Sequence, residues 1–376
     1  MANQLISPMS VAKMALLALT NNWVFGALVH KDYSKEFKHV GEDVTVRNPA
    51  TLTAVEFDGD LTGQFQNVTE SSITVSMDKI LTVPVQITAK ELTLDVVSFN
   101  DQIVVPACRA LADKVDENIA LLYKDIPYYG DTSSTTALAD MTAIRKIMTD
   151  NKVPQRDRYG VLSPMTFASL LNLSEFRDLE KTGETAVLKE ASMGRRFGFS
   201  LYESQNIQHH TIGTTDEAGA IDLAAGYAEG DTTIHVDALG TGTINKGSIL
   251  TIADNTGQYV VTADATIAAN ECDVIITPGL NAAVLDGAVV TLHGDDATTT
   301  SKENLFFHKN AFAMVSAPLE PPLGGAKGAS LSYEGLSLQV VYDYEMSQFK
   351  NMMTISILCG FKTLQKELAV RLYDAS

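Results

Sequence analysis

Residues 99–126, FNDQIVVPACRALADKVDENIALLYKDI, constrain the fold more than any other stretch. Apolar side chains recur at Val104, Cys108, Leu111, Val115, Ile119 and Leu122. Steps of three and four put them on one face of a long helix. Ser98 is the expected N-cap, with Asp101 as an acidic form of the capping box. Pro127 follows and stops the helix. At ~1.5 Å per residue the helix is roughly 40 Å long, enough to serve as a spine. Pro106 either kinks it or sits in its first turn, which moves the start to about residue 105.

A chain of 376 residues has room for two or three domains. A net charge of −18, with no basic stripe, argues against sequence-specific nucleic-acid recognition. Cys108, Cys272 and Cys359 are far apart and form no CxxC pair, so they read as buried free thiols. The N-terminal run lacks a basic leader and is interrupted by Lys13, so no signal peptide is expected. Instead Val11, Met14, Ala15 and Ala18 mark a helical face behind Ser7 and Pro8. Trp23, the single tryptophan, is either a core anchor or an interface anchor. No stretch is apolar enough to span a membrane.

Residues 44–57 and 71–88 alternate and predict two long antiparallel strands around an acidic tip, 58–70. An isolated ribbon of that length is marginal in water, so it must lie on its own domain or on a neighbouring subunit. Helices are expected over 137–150 and 164–172, with a short strand at Tyr159–Leu162 between them and another at Phe197–Tyr202. From about 220 to 296 the chain changes character. Short strands fit Thr232–Val236, Ile249–Ile252, Gln258–Thr262, Asp273–Thr277 and Ala288–Leu292, separated by Gly and Asp turns. That spacing predicts an inserted all-β barrel or sandwich. Residues 304–317, 330–343 and 351–373 each read as strand. The expected class is therefore α+β with an all-β insertion.

The chemical inventory is sparse. His209 and His210 are adjacent, so on an extended segment they point to opposite sides and cannot chelate one ion. With Glu203, His235 and His293 they match no metal-site spacing and read as exposed loop histidines. Asp231, Asp254, Asp264 and Asp273 read as turn residues rather than calcium ligands. Residues 324–328, GGAKG, lack phosphate-loop spacing and read as a hinge or turn. No nucleophile motif is present, and no catalytic residue, cofactor or metal is assigned.

The run ALADMTAIRKIMTDNKVPQRDRYGVLSPMTFASLL resembles the central segment of tailed-bacteriophage major capsid proteins. FGFSLYESQNI is similar to the strand that follows there, and GFKTLQKELAVRL to the C-terminal strand, with Lys366 where proline is common. The order of elements matches as well, and the insertion resembles that of short-tailed phages with an extra domain in the axial domain. The resemblance implies an N-terminal arm (1–43), an extended hairpin loop with peripheral-domain strands (44–90), a spine helix (91–129) and an axial domain (130–219 and 297–329). It implies the inserted β domain at 220–296 and peripheral-domain strands with the C-terminus at 330–376.

It further implies a structural, non-catalytic subunit that assembles through hexamers and pentamers into an icosahedral shell around double-stranded DNA. Scaffolding protein, portal and a decoration protein are the implied partners, with the virion, assembled in the host cytoplasm, as the location. Trp23, Glu56, Asp58, Asp60, Phe65 and Glu70 are the candidate inter-subunit contacts, and Arg195 and Arg196 the candidate basic residues of the inner surface. The loop tip has no lysine for a covalent crosslink, Lys79 being the nearest. The insertion is expected to support folding and to touch neighbouring capsomers. An encapsulin-like compartment is the alternative within the fold, and a metal-dependent hydrolase on His209 and His210 the alternative outside it.

Overall fold

The computed structural model describes residues 8–31, 43–47, 54, 56–57, 65, 72–88, 100–132, 138–174, 193–214, 218–293, 301–320, 322, 327–333, 335–347 and 349–375. The chain divides into two units. Unit 1 is Met1–Asn21, His30–Leu111 and Ala313–Leu364; unit 2 is Asn22–Val29, Ala112–Phe312 and Gln365–Ser376.

In unit 1, helix α1 (Pro8–Asn22) buries Val11, Ala12, Ala15, Leu16 and Leu19. The buried face is therefore rotated from the expected one: Met14 and Ala18 are only half-buried. Turning Leu16 and Leu19 inward removes more apolar surface from water than turning Ala18 inward. Ser7, the expected cap, lies outside the described residues.

The second expected strand of the ribbon, 71–88, is two strands, and most of 48–71 lies outside the described residues. Strand β1 (Asp43–Arg47) pairs antiparallel with β2 (Ser72–Ser76), Asp43 opposite Ser76. After Met77 and Asp78 the chain starts a separate strand, β3 (Lys79–Thr88), which pairs antiparallel with β21 (Lys350–Thr363). Leu81, Val83, Val85 and Ile87 do alternate toward the inner face, as their spacing predicts. Alternation selects a face, not a partner, and the partner is in the same unit. Pro84 is tolerated because, among the described residues, β3 pairs on one side only.

The five-stranded sheet is completed by β18 (Phe312–Ala317), β19 (Lys327–Tyr333) and β20 (Leu336–Glu345). Residues 330–343 are thus a hairpin, not one strand: Gly335 takes φ +77° at the turn, a conformation glycine adopts without steric cost. Lys327 and Gly328 open β19, whereas 323–326 lie outside the described residues. Val75, Met77, Ala313, Val315, Ala317 and Leu364 form a core cluster beside β2.

The spine is graded rather than uniform. A π-helical turn (Asn100–Val104) leads into α3 (Val105–Ala120), and a 3-10 turn (Leu121–Asp125) ends it. Pro106 sits in the first turn of α3, where its missing N–H costs nothing. Val104, Cys108, Leu111, Val115 and Ile119 are buried as expected. Leu122 is only half-buried, because the tighter 3-10 winding brings Tyr123 inward instead. Ser98 and the Asp101 side chain lie outside the described residues.

Unit 2 holds a seven-stranded sheet in the order β4-β22-β17-β5-β7-β6, with β8 also pairing β17. The strands are β4 (Tyr129–Thr132), β5 (Arg158–Leu162), β6 (Arg195–Arg196), β7 (Phe199–Glu203), β8 (His209–His210), β17 (Ser301–His308) and β22 (Ala369–Ala375). Helix α4 (Leu138–Asp150) buries Met141, Ile144 and Met148. Helix α5 (Pro164–Asn172) starts as its residues predict, with Pro164 in the first turn and the Ser163 hydroxyl accepting from Thr166 N–H. Both helices join a core with Leu162, Phe199, Leu201, Phe306, Val370 and Leu372.

Two further expected strands are each two strands. Residues 304–317 break at a 3-10 turn (Lys309–Ala311), sending β17 and β18 into different sheets. Residues 351–373 break at Lys366–Leu368, so β22 joins the sheet of unit 2 rather than ending with the strands of unit 1. Each break is marked only by a short polar run, His308-Lys309-Asn310 and Gln365-Lys366-Glu367, inside an otherwise apolar stretch.

Between β8 and β17 the chain forms a closed barrel, β10-β15-β13-β12-β16-β9. Its strands are β9 (Ala218–Ile221), β10 (Thr233–Asp237), β12 (Ile249–Ile252), β13 (Tyr259–Val261), β15 (Cys272–Thr277) and β16 (Val289–His293). Ile234, Val236, Val274, Ile276, Val290 and Leu292 point inward while their neighbours along each strand face out. The five predicted strands all appear, with β9 and the small pair β11 (Gly242–Ile244) and β14 (Ala265–Ile267) added.

Candidate functional site

A polar centre is buried where the barrel meets the sheet of unit 2. Arg371 of β22 is fully buried and Glu303 of β17 is 4% exposed; Nη1 and Oε2 lie 3.7 Å apart. The guanidinium also lies over the Tyr123 ring at 5.5 Å. Tyr123 Oη and His210 Nδ1 are 2.9 Å apart, and His210 Nε2 is 3.2 Å from Ser248 Oγ. A cavity of about 30 Å³ lies among Tyr129, His210, His293, Glu303, Arg371 and Tyr373. Burial, then the charges of Arg371 and Lys124, push His210 down to about 3, so it stays neutral. Burial likewise pushes the Tyr123 phenol up.

Further contacts fasten the barrel to the sheet side. Gln258 accepts from Tyr129 N–H at 3.1 Å and donates to the Tyr129 carbonyl at 3.3 Å. Tyr129 and His293 rings lie 4.9 Å apart, and Lys246 pairs with Asp125 at 3.6 Å. Gly247, at φ +99°, lets its backbone approach Lys124, where a Cβ would stand 2.9 Å from a side-chain carbon.

A second buried group anchors residues 22–29, which hold the short helix α2 (Phe25–Leu28). The Asp116 carboxylate accepts from Val24 N–H at 2.7 Å and Gly26 N–H at 3.0 Å. Burial pushes its pKa up to about 6 against these hydrogen bonds, with Asp113 adding repulsion. Trp23 is 8% exposed and packs so closely on Gly26 that a Cβ there would lie 2.2 Å from the ring. Trp23 therefore serves as a core anchor within unit 2: burying its indole removes more apolar surface from water than any single smaller side chain would.

The other sequence-derived positions fall differently. Phe65 is 83% exposed, and Glu56 is exposed beside Phe57 at 68%. Asp58, Asp60 and Glu70 lie outside the described residues. Arg195 is exposed and donates to the Gln155 carbonyl at 3.0 Å; Arg196 is half-buried. His209 and His210 do point to opposite sides of β8, but His210 is buried and His293 half-buried, so neither is an exposed loop histidine. That removes the His209–His210 pair as a hydrolase centre. Cys108, Cys272 and Cys359 are buried free thiols, and burial pushes Cys108 and Cys359 up to about 12.

Sequence reasoning missed Arg371, Glu303 and Asp116. The one local signal was an arginine inside an otherwise apolar strand, AVRLY.

These contacts fasten the barrel and residues 22–29 within unit 2. The family model described as P22 coat protein - gene protein 5 matches residues 4–270. The chain belongs to the P22 coat protein family. The coat protein is a major capsid protein of bacteriophage type, a structural subunit of an icosahedral shell. Its fold is that of tailed-phage capsids. A structure titled Mycobacterium phage Che8 matches with TM-score 0.50 and 13% identity, covering 93% of this chain and 90% of that one. The capsid structure of the Cyanophage P-SCSP1u matches with TM-score 0.48 and 14% identity, covering 90% and 84%. No curated protein matches the sequence. The family match favours the coat protein over the compartment and hydrolase readings. No helix among the described residues is long and apolar enough to cross a membrane.

Proposed function

We propose that this coat protein assembles through hexamers and pentamers, with scaffolding protein and portal, into a head that encloses double-stranded DNA. In this reading the N-terminal segment is an arm, the loop around Glu56 and Phe65 a subunit contact, and the barrel a lateral contact through its Asp-bearing turns. Arg195 and Arg196 face the packaged DNA, and a decoration protein docks outside.

The observation that carries the reading is the apolar tip of the β20–β21 hairpin in unit 1. Met346 is 75% exposed and Phe349 is 69% exposed. Phe349 also takes φ +51°, a conformation that bulky residues avoid. Strain of this kind, about 1 kcal/mol or more, persists where the surroundings require it. Two large apolar side chains on a turn are covered when subunits meet. The test is the double variant M346S/F349G. Glycine relieves the backbone strain, so the subunit stays folded by circular dichroism and gains about 1 kcal/mol toward urea. Shells are then absent by electron microscopy. Normal shells from this variant would remove the hairpin tip from the assembly surface.

A further inference from the structure

Three segments on the outside of the barrel bring together Asp222, His235 and Glu271. His235 lies on β10, directly opposite Asp273 of β15. Asp273 Oδ1 is 2.7 Å from His235 Nδ1, which leaves Nε2 toward Glu271 Oε2 at 3.5 Å. Asp222 follows β9, and its N–H donates to the His235 carbonyl at 3.2 Å. One donor atom from each of Asp222, His235 and Glu271 lies within 4.8 Å of the others.

The backbone holds each of these residues in place. Ala268 and Glu271 exchange both hydrogen bonds, at 3.1 and 3.2 Å, across a tight turn with Ala269 at φ +55° and Asn270 at φ +76°. His235 N–H donates to Tyr227 Oη at 2.7 Å. A carboxylate on Nδ1–H fixes the tautomer that turns the Nε2 lone pair outward, the arrangement found behind metal-bound histidines. A tetrahedral ion with bonds of about 2.0–2.1 Å sets neighbouring donor atoms about 3.4 Å apart. The Nε2–Oε2 separation of 3.5 Å already meets that spacing. An ion pair of a charged His235 with Asp273 and Glu271 would need no third carboxylate, yet Asp222 completes the set.

We propose that Asp222, His235 and Glu271 hold a divalent first-row transition-metal ion, with Asp273 as the positioning residue behind the imidazole. One imidazole and two carboxylates suit zinc, cobalt or nickel better than calcium. A further coordination position faces solvent, open to water or to a carboxylate of another molecule. The bound ion ties together the chain after β9, β10 and the turn before β15.

The test is equilibrium dialysis of the full-length protein against micromolar zinc, with metal counted per chain, and cobalt as a spectroscopic substitute. The wild-type chain takes up about one zinc and shows cobalt absorption of low-symmetry N/O coordination. H235N and E271Q lose it, while circular dichroism is unchanged. D273N binds roughly 10- to 100-fold more weakly, because the ring loses its orienting carboxylate. H209A, which alters the exposed histidine of β8, keeps the wild-type stoichiometry. No uptake by the wild-type chain, uptake unchanged in H235N, or displacement of zinc by equimolar calcium would each overturn the assignment.

Discussion

Two of the buried titratable groups of unit 2, Asp116 and His210, oppose one another in their response to acid. Asp116 ionises near 3.8 in the unfolded chain but at about 6 in the fold. Between these values the folded state holds the extra proton, so this group makes stability fall as pH rises. His210 gains its proton near 6.5 when unfolded but only at about 3 in the fold. In that interval the unfolded state holds the extra proton, so His210 makes stability rise with pH. Across the shared window from 3.8 to 6, each contributes about 1.4 kcal/mol per pH unit with opposite sign, or about 3 kcal/mol in all. The wild-type chain is therefore buffered against acid at these two sites. D116N keeps an oxygen for one of the two N–H donors and removes one titration; H210N removes the other. The assay is urea unfolding of the dispersed full-length subunit in steps across the window, read by Trp23, the single tryptophan and a buried reporter of unit 2. Relative to the parent, D116N gains about 3 kcal/mol as pH rises through the window, and H210N loses about 3 kcal/mol. Slopes of the same sign, or a flat difference for H210N, would refute the account of a neutral buried imidazole.

Truncation of one partner of the buried pair, E303A, leaves the Arg371 charge without its counter-ion and costs about 3–5 kcal/mol. The apolar double exchange E303L/R371M recovers most of that loss in the same urea titration, whereas a simple packing defect would not be rescued. G26A forces its new methyl against the Trp23 ring and costs about 1–3 kcal/mol, with a shift in Trp23 emission; unchanged emission would mean that the ring is not seated as described.

How much of this was legible depended on whether the determining signal was local. Ser163-Pro164 announces α5 because a cap and a first-turn proline act within one turn of helix. The barrel strands were legible because each alternates around its own Gly and Asp turns. The partner of β3 was not, because alternation carries no information about a strand some 270 residues away in β21. Trp23 was ambiguous for the same reason: Gly26, on which its ring packs, is held by the distant α3 carboxylate of Asp116, and the three come together only after folding. Phe65 is exposed, while the hairpin tip at Met346 and Phe349 fell between the two expected strands, 330–343 and 351–373, and went unnoticed.

Arg371 shows why an isolated charge in an apolar strand carries meaning. On β22, Val370 and Leu372 enter the core shared with α4, whereas Arg371 and Tyr373 line the opposite face beside Glu303 and His210. Both faces are covered, so hydrophobicity alone specifies the orientation of this strand weakly. A slip of one residue against β17 would drive the guanidinium among Met141, Ile144 and Phe306. An unpaired charge there costs several kcal/mol, far more than the mispacking of one aliphatic side chain. The ion pair thus contributes little net stability to the correct register and much instability to the wrong one. For a subunit that must present the same surfaces in every copy of a shell, that discrimination matters more than the stability an apolar pair would add.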